Sequence, residues 1–325
     1  MCLRGFAFNA FYLLRLHLPS MITELRKRVE PHRRETSRDV FLKVADVTIN
    51  LVGGDPQPEL VGAMSRFGVP ASVADVTIHT TWGELGDENH GRQLFDSGSL
   101  WQLYAEETGY RFRLAGVRPG QNTYKIARFN HDFTRGEVVC DPRRIPLDEP
   151  LYPLQYPLDE LLLINLLARG RGIEFHACGV SEQTGKGYMF VGHSEAGKTT
   201  SARLWQRQRD AELLSDDRII VRQMDGKFWM YGTPWHGEEE ISSPRKVELT
   251  HIFFLRHGEQ NGLAPLRRAE AAAELFSRSF PTFFSSEGLD FTLEFLDRLT
   301  GSVACAELSF VPDERVIGFV RSQTV

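Results

Sequence analysis

Cysteine is scarce in this chain. Only four occur in 325 residues (Cys2, Cys140, Cys178 and Cys305), and no two form a CxxC pair. That excludes a disulfide-stapled secreted scaffold and a cysteine-held zinc site, and it fits a reducing, cytoplasmic setting. A basic excess is also missing: 38 Lys and Arg stand against 43 Asp and Glu, a net charge of −5. Nucleic-acid binders carry a basic face, so nucleic acid is not an expected partner. No run approaches the ~18 apolar residues that cross a bilayer, so no membrane span is expected. Gly5–Leu14 is the longest uncharged stretch near the start, but Arg15 and His17 follow it and no A-x-A cleavage pattern does. An N-terminal helix or a start at Met21 accounts for it.

What remains is ordinary globular composition, with 42% hydrophobic residues and 28 Gly. Length divided by ~150 residues gives about two domains. Residues 24–39 are dense in mixed charge and read as a linker, so 1–39 is taken as a helix or charged linker. From residue 40 the chain reads as β. Residues 41–52 (FLKVADVTINLV) and 71–82 (ASVADVTIHTTW) share Ala-Asp-Val-Thr-Ile and predict two similar half-buried strands. Further strands are predicted at Leu100–Tyr104, Tyr110–Ala115, Thr123–Phe129 and Glu137–Cys140. Nothing catalytic stands at a recognisable spacing there, and His79 and His90 read as surface residues.

The Pro-rich stretch Pro142–Pro157 marks a junction, dividing a β-rich 40–150 from a second domain at 151–325. Leu158–Arg169 then lacks Gly and Pro, is apolar on most faces and stops at Gly170, which predicts a buried helix.

Within that second half, Gly192-His193-Ser194-Glu195-Ala196-Gly197-Lys198-Thr199, followed by Thr200, satisfies every fixed position of G-x-x-x-x-G-K-[ST]. Glycines let the backbone curl so that successive N–H groups face a phosphate. Lys198 reaches the outer phosphates, Thr199 offers a hydroxyl to Mg²⁺, and the next helix aims its N-terminus at the anion. Gly187–Val191 reads as the strand entering the loop and Lys198–Gln208 as the helix leaving it. That context separates a working loop from a chance glycine turn.

Asp216 and Asp217 end the apolar strand of LLSDDRIIVR. Adjacent acids there are costly unless a cation meets them. One can hold metal while the other takes a proton from an attacking hydroxyl; a solvated turn between two strands is the alternative. His176, in the strand Ile173–Val180, reaches the same place if that strand pairs with the loop strand. Trp235, His236 and Glu238 lie on the Gly/Pro-punctuated segment Tyr231–Glu240 and, if exposed, are candidate substrate contacts. His176-x-Cys178 has no further ligands at metal spacing.

His176, the loop, the Ser-Asp-Asp strand end 18 residues past Lys198 and GTPWHGE together resemble HPr kinase/phosphorylase and the related core of ATP-dependent phosphoenolpyruvate carboxykinase. The nearest likeness is to shorter HPr-kinase-like proteins with an extra N-terminal domain. It covers residues 155–325. The short spacing from loop to acid argues against ordinary P-loop NTPases, and no Asn-Lys-x-Asp motif is present.

The resemblance implies an α/β fold with a mixed, largely antiparallel sheet, preceded by a small β-rich domain. It implies ATP- and Mg²⁺-dependent transfer of a phosphoryl group to a protein serine. Gly192, Gly197, Lys198 and Thr199 would bind the triphosphate and Mg²⁺. Asp216 and Asp217 would divide metal ligation and base between them, in an order left open, and His176 would sit beside the reacting phosphate. Two departures bear on HPr itself and on the reverse reaction: Glu195 stands where HPr kinases have glycine, and their arginine-glycine signature is absent.

The resulting expectation is a kinase acting on a peptide or protein hydroxyl, with a homo-oligomer left open. Two rivals stand beside it. One is a nucleotide-binding regulatory module without catalysis, the other a carboxykinase-like small-molecule phosphotransferase. Intact Lys198, Thr199, Asp216 and Asp217 favour an active enzyme, and no basic run suits a dicarboxylate.

Overall fold

The computed structural model describes residues 39–86, 91–98, 100–115, 123–144, 152–193 and 196–324. Residues 1–38 of the predicted segment 1–39, His90, Ser194, Glu195 and residues 145–151 of the Pro-rich junction lie outside them.

Two mixed sheets and five α-helices make up the described residues, an α/β architecture. The first sheet comprises β1 (Val40–Val44), β2 (Val47–Val52), β3 (Gly68–Val69), β4 (Val76–Trp82), β5 (Arg92–Asp96), β6 (Trp101–Glu106), β7 (Gly109–Ala115), β8 (Thr123–Asn130) and β9 (Arg135–Cys140). Their order is β3-β1-β2-β4-β9-β8-β7-β6-β5, with β2–β4 and β4–β9 parallel.

One expectation fails here. FLKVADVTINLV is a hairpin, not a single strand, because Ala45 and Asp46 take φ of 49° and 56° and turn the chain between Val44 and Val47. Two consecutive positive φ values define the tight turn whose twist suits a hairpin. In the second copy of the pentapeptide, Ala74 and Asp75 stay outside the strand. Asp75 instead accepts the Thr48 N–H at 2.9 Å.

The second sheet holds β10 (Ile173–Glu182), β11 (Lys186–Val191), β12 (Ala211–Ser215), β13 (Arg218–Met224), β14 (Lys227–Gly232), β15 (Lys246–His257), β16 (Gly262–Pro265) and β17 (Ala304–Phe310). β11 bonds antiparallel to β10 and parallel to β15, so the path β11-β10-β13-β14-β15 closes on itself.

The helices are α1 (Leu158–Leu167), α2 (Lys198–Gln206), α3 (Arg268–Phe276), α4 (Ser286–Ser302) and α5 (Arg315–Gln323). Strand side chains alternate between faces, and the alternation sorts them into two cores. Phe175, Met189, Ile252 and Phe254 pack with Leu275 of α3 and Phe295 of α4. Cys178, Phe190, Phe253 and Leu255 pack with Trp205 of α2 and Ile317 of α5.

A third core joins both sheets. Leu162 and Leu166 of α1, Ile220 of β13 and Trp235 share one cluster with Leu51, Ile78, Phe112 and Val138 of the first sheet. α1 is buried on nearly every face, as its composition predicts. Polar bonds cross the same boundary: Tyr231 Oη donates to Asp46 at 2.7 Å, and Arg171 pairs with Asp75 at 2.8 Å. Among the described residues no helix is long and apolar enough to cross a membrane.

Candidate functional site

The site grows from the end of β11. Its last residues are fully buried and deliver Gly192 to the loop, and α2 begins at Lys198. Gly197 caps that helix with φ 98°, and a Cβ there would stand 2.6 Å from Phe310 Cζ. Only glycine takes that backbone in that space. A Cβ on Gly192 would meet Ala196 at 2.7 Å. Among the described residues no side chain caps α2, which leaves its first N–H groups to an anion at the loop. Thr199 and Thr200 lie half-buried in its first turn.

Lys198 is only 8% exposed. Its Nζ donates to the carbonyls of Gly192 at 2.7 Å and His193 at 3.1 Å. Burial pulls its pKa down from 10.5 to about 8, with the charge of Asp217 acting in the other direction.

The Asp pair lies beside the loop because β10 changes partner there. Its first half pairs with β13 and its second with β12, and a register shift falls between Gly179 and Val180. Asp216 and Asp217 occupy the turn between those two partners, and Ala177 donates its N–H to the Asp217 carbonyl at 3.0 Å. Ala177 also opposes Val191, the last residue of β11. The two acids and the loop that follows β11 thus meet at one end of the sheet.

Their environments differ. Asp216 is buried, and its two carboxylate oxygens accept the N–H groups of Gly237 and Glu239, both at 2.9 Å. Burial nonetheless raises its pKa above the ordinary value. Asp217 is also pushed up by burial, but the His176 hydrogen bond and the charges of Arg218, His176 and Lys198 outweigh that and hold it below the usual range. His176 Nδ1 lies 3.0 Å from Asp217 Oδ1 and 3.0 Å from Arg218 Nη1, and Arg218 also pairs with Asp217.

The pairing of β10 with β11, β12 and β13 therefore brings Lys198, His176, Asp216 and Asp217 to one end of the sheet. Among the candidate contacts in the segment Tyr231–Glu240, only Trp235 departs from the expected exposure. Trp235 is 8% exposed and sits in the core shared by both sheets, so it is not an exposed contact. Glu238 is exposed and His236 half-buried. What this segment supplies to the site is backbone: the amides of Gly237 and Glu239 that hold Asp216.

Sequence reading missed Arg278. It follows α3, its carbonyl accepts the His176 N–H at 2.7 Å, and its Nη2 lies 2.7 Å from His193 Nε2 in the loop. It missed Arg218 as well, although a cation beside two buried acids was a readable signal.

The donors present suit a phosphate group: the first N–H groups of α2, Lys198, Arg278 and the hydroxyls of Thr199 and Thr200. Among the described residues no three His, Cys, Asp or Glu side chains group to hold a metal. The set suits Mg²⁺, which binds through one or two carboxylates plus phosphate oxygens and water.

No protein-family model matches the chain, and no curated protein matches it. Among solved structures, the Hpr(Ser) kinase/phosphatase from Coxiella burnetii aligns with a TM-score of 0.26 and 12% identity, over 46% of this chain and 91% of that one. It is a weak structural neighbour, too distant to carry an argument about chemistry.

Proposed function

We propose that the chain is an ATP- and Mg²⁺-dependent kinase that transfers the γ-phosphoryl group to a hydroxyl, a serine of a peptide or protein. One observation carries this reading. A buried lysine in a phosphate loop and two carboxylates with opposed pKa shifts meet at one sheet end. Environments that push two acids apart mark a division of acid–base labour. Asp216, raised, is the base that takes the hydroxyl proton. Asp217, held ionised beside His176, is the metal-side carboxylate.

Lys198 exchanges its two loop carbonyls for phosphate oxygens, and Arg278 adds a second cation at the same loop. Once placed on the phosphates, such charges stabilise phosphoryl transfer. The acceptor oxygen bonds to the γ-phosphorus as the bond to the β-phosphate oxygen breaks, and ADP leaves. Bound Mg²⁺ would neutralise charge on the phosphate oxygens. The chemistry belongs to residues 151–325, and we assign residues 40–150 to holding the acceptor or a partner.

The test uses γ-labelled ATP, a host-cell extract and two variants. Asp216→Asn and Asp217→Asn should each lower transfer by at least ~10²-fold, the low end of the acid–base range. Only Asp217→Asn should weaken Mg²⁺-dependent ATP binding. Unchanged transfer in both variants refutes the assignment.

A further inference from the structure

Beside the Asp pair lies a second set of ionisable side chains that the proposed chemistry does not use. Arg218 Nε donates to Glu160 Oε1 at 2.8 Å and stands 3.5 Å from Glu174 Oε1. Both carboxyl groups are removed from water, with 1% and 0% of their side chains exposed. The guanidinium plane lies over the Phe280 ring at 4.6 Å. On its other edge the same guanidinium meets Asp217 and His176. One side chain thus links a buried carboxyl pair to Asp217 and His176.

The placement of Glu160 gives that link direction. It sits in the first turn of α1, whose leucines are embedded in the core shared with the first sheet. Glu174 belongs to β10, two residues before His176, and its carbonyl accepts the Phe280 N–H at 3.0 Å. A planar fork fixed by carboxylate on one side and an aromatic face beneath has lost most of its rotational freedom. Its remaining donors then have one direction in which to point.

We propose that Glu160 is a positioning residue: acting through Arg218, it sets the orientation of Asp217 and His176, so that the core of the first sheet fixes the geometry of the phosphate site. This rests on the kinase reading for its kinetic arm only. A polar pair this deep is costly to keep. The cost makes sense where the pair defines a geometry rather than adds stability.

The experiment has a structural arm and a kinetic arm. Glu160→Gln keeps an acceptor for Arg218 Nε but removes the charge. In nitrogen-15 spectra of the full-length protein, the ring signals of His176 should move in this variant while those of His79 and His251 stay. Unmoved His176 signals in a folded variant overturn the proposal.

In the kinetic arm, kcat should fall, on the order of 10²-fold for a misplacement of about 1 Å, and Mg²⁺-dependent ATP binding should weaken by no more than in Asp217→Asn. Combined with Asp217→Asn, it should add no further loss, because both changes remove one arrangement. Additive losses overturn the proposal, as does weakened ATP binding with unchanged kcat. If Glu160→Gln does not fold, Glu160→Asp keeps the charge but shortens the reach, and is read by the same two criteria. A wild-type protein without phosphoryl transfer sinks the kinase reading alone; the spectra still decide this one.

Discussion

Replacing Lys198 by methionine separates what the side chain does for a ligand from what it costs the fold. The buried ammonium has its pKa drawn from 10.5 to about 8. At about 1.4 kcal/mol per pKa unit, that depression corresponds to a penalty on the order of 3 kcal/mol on the charged form. The sign follows from proton counting. Between pH 8 and 10.5 the unfolded chain still binds this proton and the folded one has released it, so stability rises with pH in that window. Below pH 8 the full penalty is present. Lys198→Met fills similar volume and has nothing to titrate. The stability of wild type relative to Lys198→Met should therefore rise by about 3 kcal/mol between pH 7.5 and 10.5. Urea unfolding at three pH values measures it. Ligand gives the second reading: ATP with Mg²⁺ at 100 times its dissociation constant should stabilise wild type by ~2.7 kcal/mol and the variant hardly at all. A difference that stays constant with pH refutes the buried charge. Equal stabilisation by nucleotide refutes the phosphate loop.

Gly197→Ala places a Cβ 2.6 Å from Phe310 Cζ at φ 98°; a loss of about 1–3 kcal/mol in denaturant unfolding and loss of ATP binding are expected, and an unchanged midpoint refutes the required left-handed turn. Asp159 in α1 is raised by burial first and by the charge of Glu160, to about 7 from 3.8. The folded state then holds the extra proton between those values, so stability falls as pH rises through them. Asp159→Asn should match wild type near pH 4 and exceed it at pH 8 by up to about 4 kcal/mol; parallel pH curves refute this. A fragment beginning at Tyr152 keeps every phosphate-site residue but uncovers Leu158, Leu162, Leu166 and Trp235, which pack against the first sheet. It should aggregate, and a soluble monomer by gel filtration refutes that.

The local parts of the site were legible because local chemistry makes them. The loop glycines, the strand before them and the helix after them each follow from a few neighbouring residues, and the end of β12 falls where the acids begin. The parts that stayed hidden depend on distant partners. Arg278 reaches the loop because the segment after α3 runs beside β10 and bonds to His176. Nothing near Arg278 in the chain marks that crossing. Trp235 stands in a Gly/Pro-punctuated segment that leaves its exposure open, and its surroundings come from α1 and the first sheet. The repeated Ala-Asp-Val-Thr-Ile makes the point with identical residues. At 45–49 it makes a turn whose Asp46 is held by Tyr231 and Lys246, 185 and 200 positions along the chain. At 74–78 it leads into a strand, with Asp75 bonded to Thr48 and Arg171. The same five residues take two roles because each aspartate meets different partners. Asp216 and Asp217 differ in the same way: one is held by amides of a loop tied into the shared core, the other by an arginine anchored on α1. A sequence can announce that two acids stand together, but the difference between their environments is set by what the rest of the fold brings to each.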